Sequence, residues 1–90
     1  MMTVRERIEM RLNAALDPSD LAVTDDSHLH AGHAGARPGG ESHFTVEIVS
    51  ARFAGLNRVA RHRLVNEVLS EELRGPVHAL VIRAKAPDEV

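Results

Sequence analysis

The strongest constraint on this chain is a change in hydrophobic period, from helical to two-residue and back to helical. Val4, Ile8, Leu12 and Leu16 recur every fourth residue, with Met10 and Ala15 widening the stripe, which predicts an amphipathic helix of roughly four turns. Thr3-Val4-Arg5-Glu6 in front of it reads as a capping box, and Asp17-Pro18 ends it, because the residue before proline is driven out of the helical region. Leu21 to Asp26 reads as a short strand. His43 to Val49 then alternates, with Phe44, Val46 and Ile48 on one face and His43, Thr45 and Glu47 on the other. Phe53-Ala54-Gly55 is a turn and Asn57 an N-cap. Arg58 to Leu73 carries Val59, Leu64, Val65, Val68, Leu69 and Leu73 at helical spacing. Gly75 suits a left-handed residue after that helix, and Pro76 prevents its continuation. Val77 to Ala84 is nearly continuously apolar, which predicts a central, covered strand, and the tail from Ala86 to Val90 is expected to fray.

The order is therefore α-β-β-α-β in a single domain over residues 1–90. The first two strands follow one another and should pair antiparallel. The second and third are joined through a helix and should run parallel, with a right-handed crossover. The fold class is α+β: a three-stranded mixed sheet covered by helices on one face, which buries both amphipathic stripes.

Composition narrows the function classes. Lys+Arg at 11 against Asp+Glu at 13 gives a net charge of −2, so nucleic-acid binding would need a local patch. Cys, Trp and Tyr are absent and Phe occurs twice, which removes thiol chemistry and nearly removes base stacking on aromatic platforms. No apolar run reaches the ~20 residues of a bilayer span, and no basic-then-apolar leader opens the chain, so the expectation is a small cytoplasmic domain without a membrane role. No phosphate-cradling glycine loop, nucleophile elbow or zinc-protease helix is present. Asp25 and Asp26 are strand neighbours pointing to opposite faces and form no acid/base dyad.

Three features could carry chemistry. Residues 28–42 gather four of the six glycines, Pro38 and His28, His30, His33, a composition that specifies a flexible loop. Its imidazoles either bind a borderline metal such as zinc or nickel or form a solvated His-rich loop with incidental affinity. His78 opens the last strand on the face of Leu80 and Ile82; it is either a structural histidine bonded to backbone or a ligand held on a rigid element. Arg58, Arg61 and Arg63 begin the second helix, against the preference of the helix dipole, and Arg52 precedes it. They either present cations to an anion such as phosphate, or are neutralised locally, as by Arg63 with Glu67 at i+4.

In order and spacing, Asp26-Ser27-His28, Gly40-Glu41-Ser42-His43-Phe44, Arg52-Phe53-Ala54-Gly55, Arg61-His62-Arg63-Leu64-Val65, Glu71-Glu72-Leu73 and Val77-His78-Ala79-Leu80 resemble the BolA family. The match runs from about Asp25 to Ala86. It implies a fold like a class II KH domain and a monothiol glutaredoxin as partner. The pair would hold a bridging 2Fe–2S cluster, with a glutaredoxin Cys and glutathione on one side and residues of this chain on the other. Histidine can replace thiolate on one iron, as in Rieske centres. By the resemblance, His78 matches the family's C-terminal ligand, and the second ligand comes from the loop between the first two strands, His33 first and His30 after it. His43 should face outward. The isolated chain would hold no cofactor and be a monomer, forming a heterodimer with its partner. The family also implies transcriptional regulation through DNA, for which Arg52, Arg58, Arg61 and Arg63 are the candidate contacts. However, Gly55-Leu56-Asn57-Arg58 lacks the second glycine of a KH phosphate loop.

Overall fold

The computed structural model, which describes residues 2–26 and 42–90, is organised around one strand that pairs on both sides. The elements are α1 (Val4–Leu16), β1 (Asp20–Asp25), β2 (His43–Val49), α2 (Arg58–Val68), α3 (Ser70–Arg74) and β3 (Ala79–Lys85). Short 3-10 turns at Ala51–Phe53 and Pro87–Glu89 complete them. The sheet order is β1-β2-β3. β1 is antiparallel to β2, with Val23 opposite Val46, and β2 is parallel to β3, with Val46 opposite Ile82. These directions are the expected ones. The position of β3 is not: it is an edge strand, with Val81 half exposed and alternating burial along its length. The pairing rules already require this, since a strand bonded to both others must lie between them. The apolar run of β3 reflects small alanines and an outward Val81, not burial on both faces.

α1 forms as the stripe dictates. The Thr3 hydroxyl accepts from the Glu6 N–H at 3.1 Å and the Glu6 carboxylate accepts from the Thr3 N–H at 2.9 Å, so the capping box is closed. Val4, Ile8, Leu12 and Leu16 are buried, whereas Met10 and Ala15 face solvent, so the buried stripe is narrower than expected. The helix ends at Asp17 in the left-handed conformation, φ 43°, immediately before Pro18. From the sheet, Phe44, Val46, Ile48 and Ile82 meet this stripe, and Phe53, Val65 and Leu69 close the core behind α2. Each such fully buried side chain contributes ~1.5–3 kcal/mol relative to exposure.

Two polar residues inside the core tie elements together. Ser50 is fully buried; its hydroxyl donates to the Leu16 carbonyl at 2.6 Å and accepts from the Arg52 N–H at 3.1 Å. It thereby satisfies a C-terminal carbonyl of α1 that the helix cannot. Glu72 is also fully buried, and its Oε2 accepts from Arg7 at 2.9 Å and from Arg11 at 2.8 Å, while Arg11 also reaches Glu71 at 2.7 Å. This network fastens α3 to α1.

The second helical stretch differs from the single helix expected. It breaks at Leu69, φ −99° and ψ 19°, although the Leu69 and Leu73 N–H groups still reach the carbonyls of Val65 and Leu69. Val65, Leu69 and Glu72 nevertheless share one buried face across the break. Val59, expected on the buried stripe, is 58% exposed, and Gly75 has φ −109°, so the helix ends without a left-handed residue. Of the two described glycines, Gly55 is the one that needs its freedom, at φ +79° before the Asn57 cap, whose side chain accepts from the Ala60 N–H at 2.8 Å. The tail, expected to fray, has contacts of its own. Ala86 is buried and Glu89 folds back onto Arg61.

Replacing Glu72 by Ala removes the buried carboxylate shared by Arg7 and Arg11 and leaves Arg11–Glu71 as the ion pair between α1 and α3. The expected cost is about 2 kcal/mol, below the ~3–5 kcal/mol of a fully buried broken pair because both arginines can turn to water. Urea unfolding of Glu72→Ala should show a clearly lower midpoint; an unchanged midpoint would contradict this role.

Candidate functional site

The two strands that run parallel, β2 and β3, begin side by side, and each beginning carries a histidine. His78 precedes the first residue of β3 and is exposed; its N–H donates to the Ser42 carbonyl at 2.7 Å, and the Ala79 N–H donates to the same oxygen at 3.2 Å. His43, the first residue of β2, lies with its ring centroid 5.4 Å from that of His78, the rings tilted by 52°. The Ser42 hydroxyl is 2.8 Å from His43 Nδ1. His43 is only 5% exposed, which corrects the expectation that it faces outward. Alternation alone assigned it to the solvent face, but the His78 ring and the Ser42 hydroxyl stand against it.

The residues joining β1 to β2 leave and return at this same end of the sheet. The Asp26 N–H donates to the His43 carbonyl at 2.7 Å, and the Thr45 hydroxyl donates to the Asp26 carboxylate. The expectations placed on His28, His30 and His33, and on the flexibility of residues 28–42, fall on residues outside those described, apart from Ser42, which is fully buried.

Among the described residues no group of three or more His, Asp or Glu side chains could hold a metal ion. A structural zinc site needs four donors, so His78 cannot serve one with its described neighbours. An exposed neutral imidazole on a pinned backbone does suit a group whose remaining ligands come from elsewhere, and nitrogen donors are compatible with one iron of a 2Fe–2S cluster.

The basic residues divide. Arg52, Arg58 and Arg63 are exposed, as an anion-binding role requires. Arg61 is committed to the fold: its guanidinium donates to the carbonyls of Leu56 at 2.9 Å and Ala84 at 3.2 Å and grips Glu89 at 2.6 and 3.1 Å. The α2 ion pair is thus Arg61–Glu89, not the Arg63–Glu67 pair considered from spacing. Between the start of α2 and β3 lies an open groove of about 470 Å³, whose lining includes Arg58, His62, Arg83 and Lys85. Arg83 and Lys85 were missed in the sequence because β3 was read as covered. Their two-residue spacing on an edge strand was the available signal.

The Glu89 carboxyl is held below its ordinary value of 4.5 by Arg61 first and then by the Ala86 N–H, and Arg61 is held in its charged state by Glu89. A lowered carboxyl value makes this contact stabilising above the ordinary value and lost as pH falls through the lower folded value. Thermal unfolding of Glu89→Gln should therefore show a lower midpoint than wild type at pH 7 and convergence with it in acid. A pH-independent difference would contradict the ion pair.

The molecule is thus a small α+β domain with a histidine pair at one end of its sheet and a basic groove beside its second long helix. No described helix is long and apolar enough to cross a membrane. The chain belongs to the BolA family: the family model described as "BolA-like protein" matches residues 12–89. It is 50% identical over 84 residues to BolA-like protein 1 of Mus musculus, covering 93% of this chain and 58% of the mouse protein. It is 43% identical over 86 residues to the DNA-binding transcriptional regulator BolA of Vibrio cholerae, covering 96% of this chain and 77% of that protein. Among solved structures, the BolA domain of SufE1 from Arabidopsis thaliana superposes with a TM-score of 0.89 at 44% identity, covering 100% of this chain and 99% of that one. The resemblance drawn from the motifs and the α+β architecture both stand.

Proposed function

We propose that this chain is a non-enzymatic cytoplasmic adaptor in iron–sulfur assembly or iron homeostasis. It would pair with a monothiol glutaredoxin to hold a bridging 2Fe–2S cluster. The observation that carries the reading is the exposed His78 imidazole on a backbone pinned to Ser42, at the sheet end where the histidine-bearing residues 27–41 leave and re-enter. His78 would be one ligand and His33, or His30 in its place, the other. The glutaredoxin Cys and glutathione would complete the cluster. Bound in this way, the cluster supplies a labile iron–sulfur unit. The chain's own part is to present neutral imidazole nitrogen. Occurrence of a BolA domain within a protein named SufE1 is in keeping with this setting.

Mixing the chain with a monothiol glutaredoxin, glutathione, iron and sulfide should give a visible circular dichroism spectrum distinct from that of the glutaredoxin homodimer. The His78→Ala variant should lose the difference. A spectrum that His78→Ala leaves unchanged would remove His78 from the ligand set.

The groove favours a second reading, a DNA-binding regulator, in line with the name of the Vibrio cholerae relative. Arg52, Arg58 and Arg63 would contact phosphates together with Arg83 and Lys85, while Arg61 would support the fold. Each phosphate neutralised adds about −0.9 to the log–log slope of affinity against salt. Removing Arg58 and Arg83 together should flatten that slope by about 1–2, read by fluorescence anisotropy; equal slopes would exclude the groove.

A further inference from the structure

We infer that His43, held by Ser42, is a positioning residue that fixes the direction in which the His78 imidazole is presented. The adaptor reading supplies only what His78 is presented to; the geometry stands on the chain alone. Ser42 is fully buried and acts on both histidines at once. Its carbonyl accepts from the N–H groups of His78 and Ala79, so the backbone of His78 is pinned although it lies just outside β3. Its hydroxyl meets His43 Nδ1 at 2.8 Å and so sets the rotation of the His43 ring. That ring stands 5.4 Å from the His78 ring, tilted by 52°, and occupies space that the His78 side chain would otherwise sweep.

Filling this space needs only an apolar ring, and burying an imidazole costs free energy unless its polar atoms are bonded. A histidine so deeply buried, with a serine hydroxyl on its nitrogen, therefore does more than pack. Exposed side chains ordinarily exchange among three χ1 wells, and a partner that must immobilise one loses affinity. With its backbone pinned and one side walled, His78 is arranged before any partner arrives. Groups that hydrogen-bond a coordinating imidazole orient it, and their loss reduces metal affinity about 10–100-fold; a ring that only walls it belongs at the low end of that range.

The test begins with the free chain. Three-bond couplings reporting χ1 of His78 should show one rotamer in wild type and averaging in His43→Ala. Averaging in wild type, or a His43→Ala variant as fixed as wild type, overturns the inference. If His43→Ala loses its dispersed amide spectrum, Ser42→Ala, which keeps the ring but removes the hydroxyl at its Nδ1, takes its place: averaging supports the inference and a fixed rotamer overturns it. In the mixed glutaredoxin complex, His43→Ala should lose its cluster to a chelator about tenfold faster than wild type. An unchanged rate, with His78→Ala abolishing the mixed spectrum, also overturns the inference. If His78→Ala leaves that spectrum unchanged, the adaptor reading fails instead, and the couplings alone decide on His43.

Discussion

The parallel pairing of β2 with β3 is the constraint on which the rest of this structure depends. Parallel strands cannot be joined by a tight turn, so the chain must leave the end of β2, cross the sheet face through α2 and α3, and return to the starting end of β3. That crossover supplies Val65 and Leu69 to the core and sets Leu69 and Glu72 against α1. It also brings the first residues of β2 and β3 side by side. The proximity of His43 and His78, which are 35 positions apart in sequence, follows from this topology.

Polar residues then secure what the apolar stripes leave loose. Ser50 closes the end of α1 onto the end of β2, Glu72 fastens α3 to α1, and Arg61 binds the start of α2 to Ala84 and Glu89. The Ser50 and Arg61 ties lie at the end of the sheet where β2 and β3 finish, whereas Glu72 lies close to the start of β3, its carbonyl accepting from the Val77 N–H at 2.9 Å.

The sequence spoke clearly where one periodicity had one interpretation. The Thr3–Glu6 box, the Val4–Leu16 stripe, the Asn57 cap and the Phe44-Val46-Ile48 face are all found as the pattern dictates. It was misleading where a local pattern was overridden by neighbours. Val81 and the alanines of β3 imitate a covered strand, although the topology leaves β3 at the edge. The burial of Glu72 was not anticipated, although it continues the Val65–Leu69 stripe and Arg7 and Arg11 on α1 have the spacing to receive it. Of the candidate site, His78 was singled out from its place at the start of the last strand, and it lies immediately before β3. His43 was assigned outward, because alternation along one strand carries no information on the His78 ring and the Ser42 hydroxyl that meet it. Arg61 was a candidate anion contact with no partner in view, because Glu89 lies 28 residues away.

The measurement that most directly tests the central claim is pulsed electron paramagnetic resonance on the reduced cluster of the glutaredoxin complex. Only this chain would carry nitrogen-15 in its histidines. The account predicts nitrogen-15 hyperfine couplings of directly bound imidazole, reduced in number by His78→Ala. A cluster that forms with both proteins present yet shows no such coupling would contradict it.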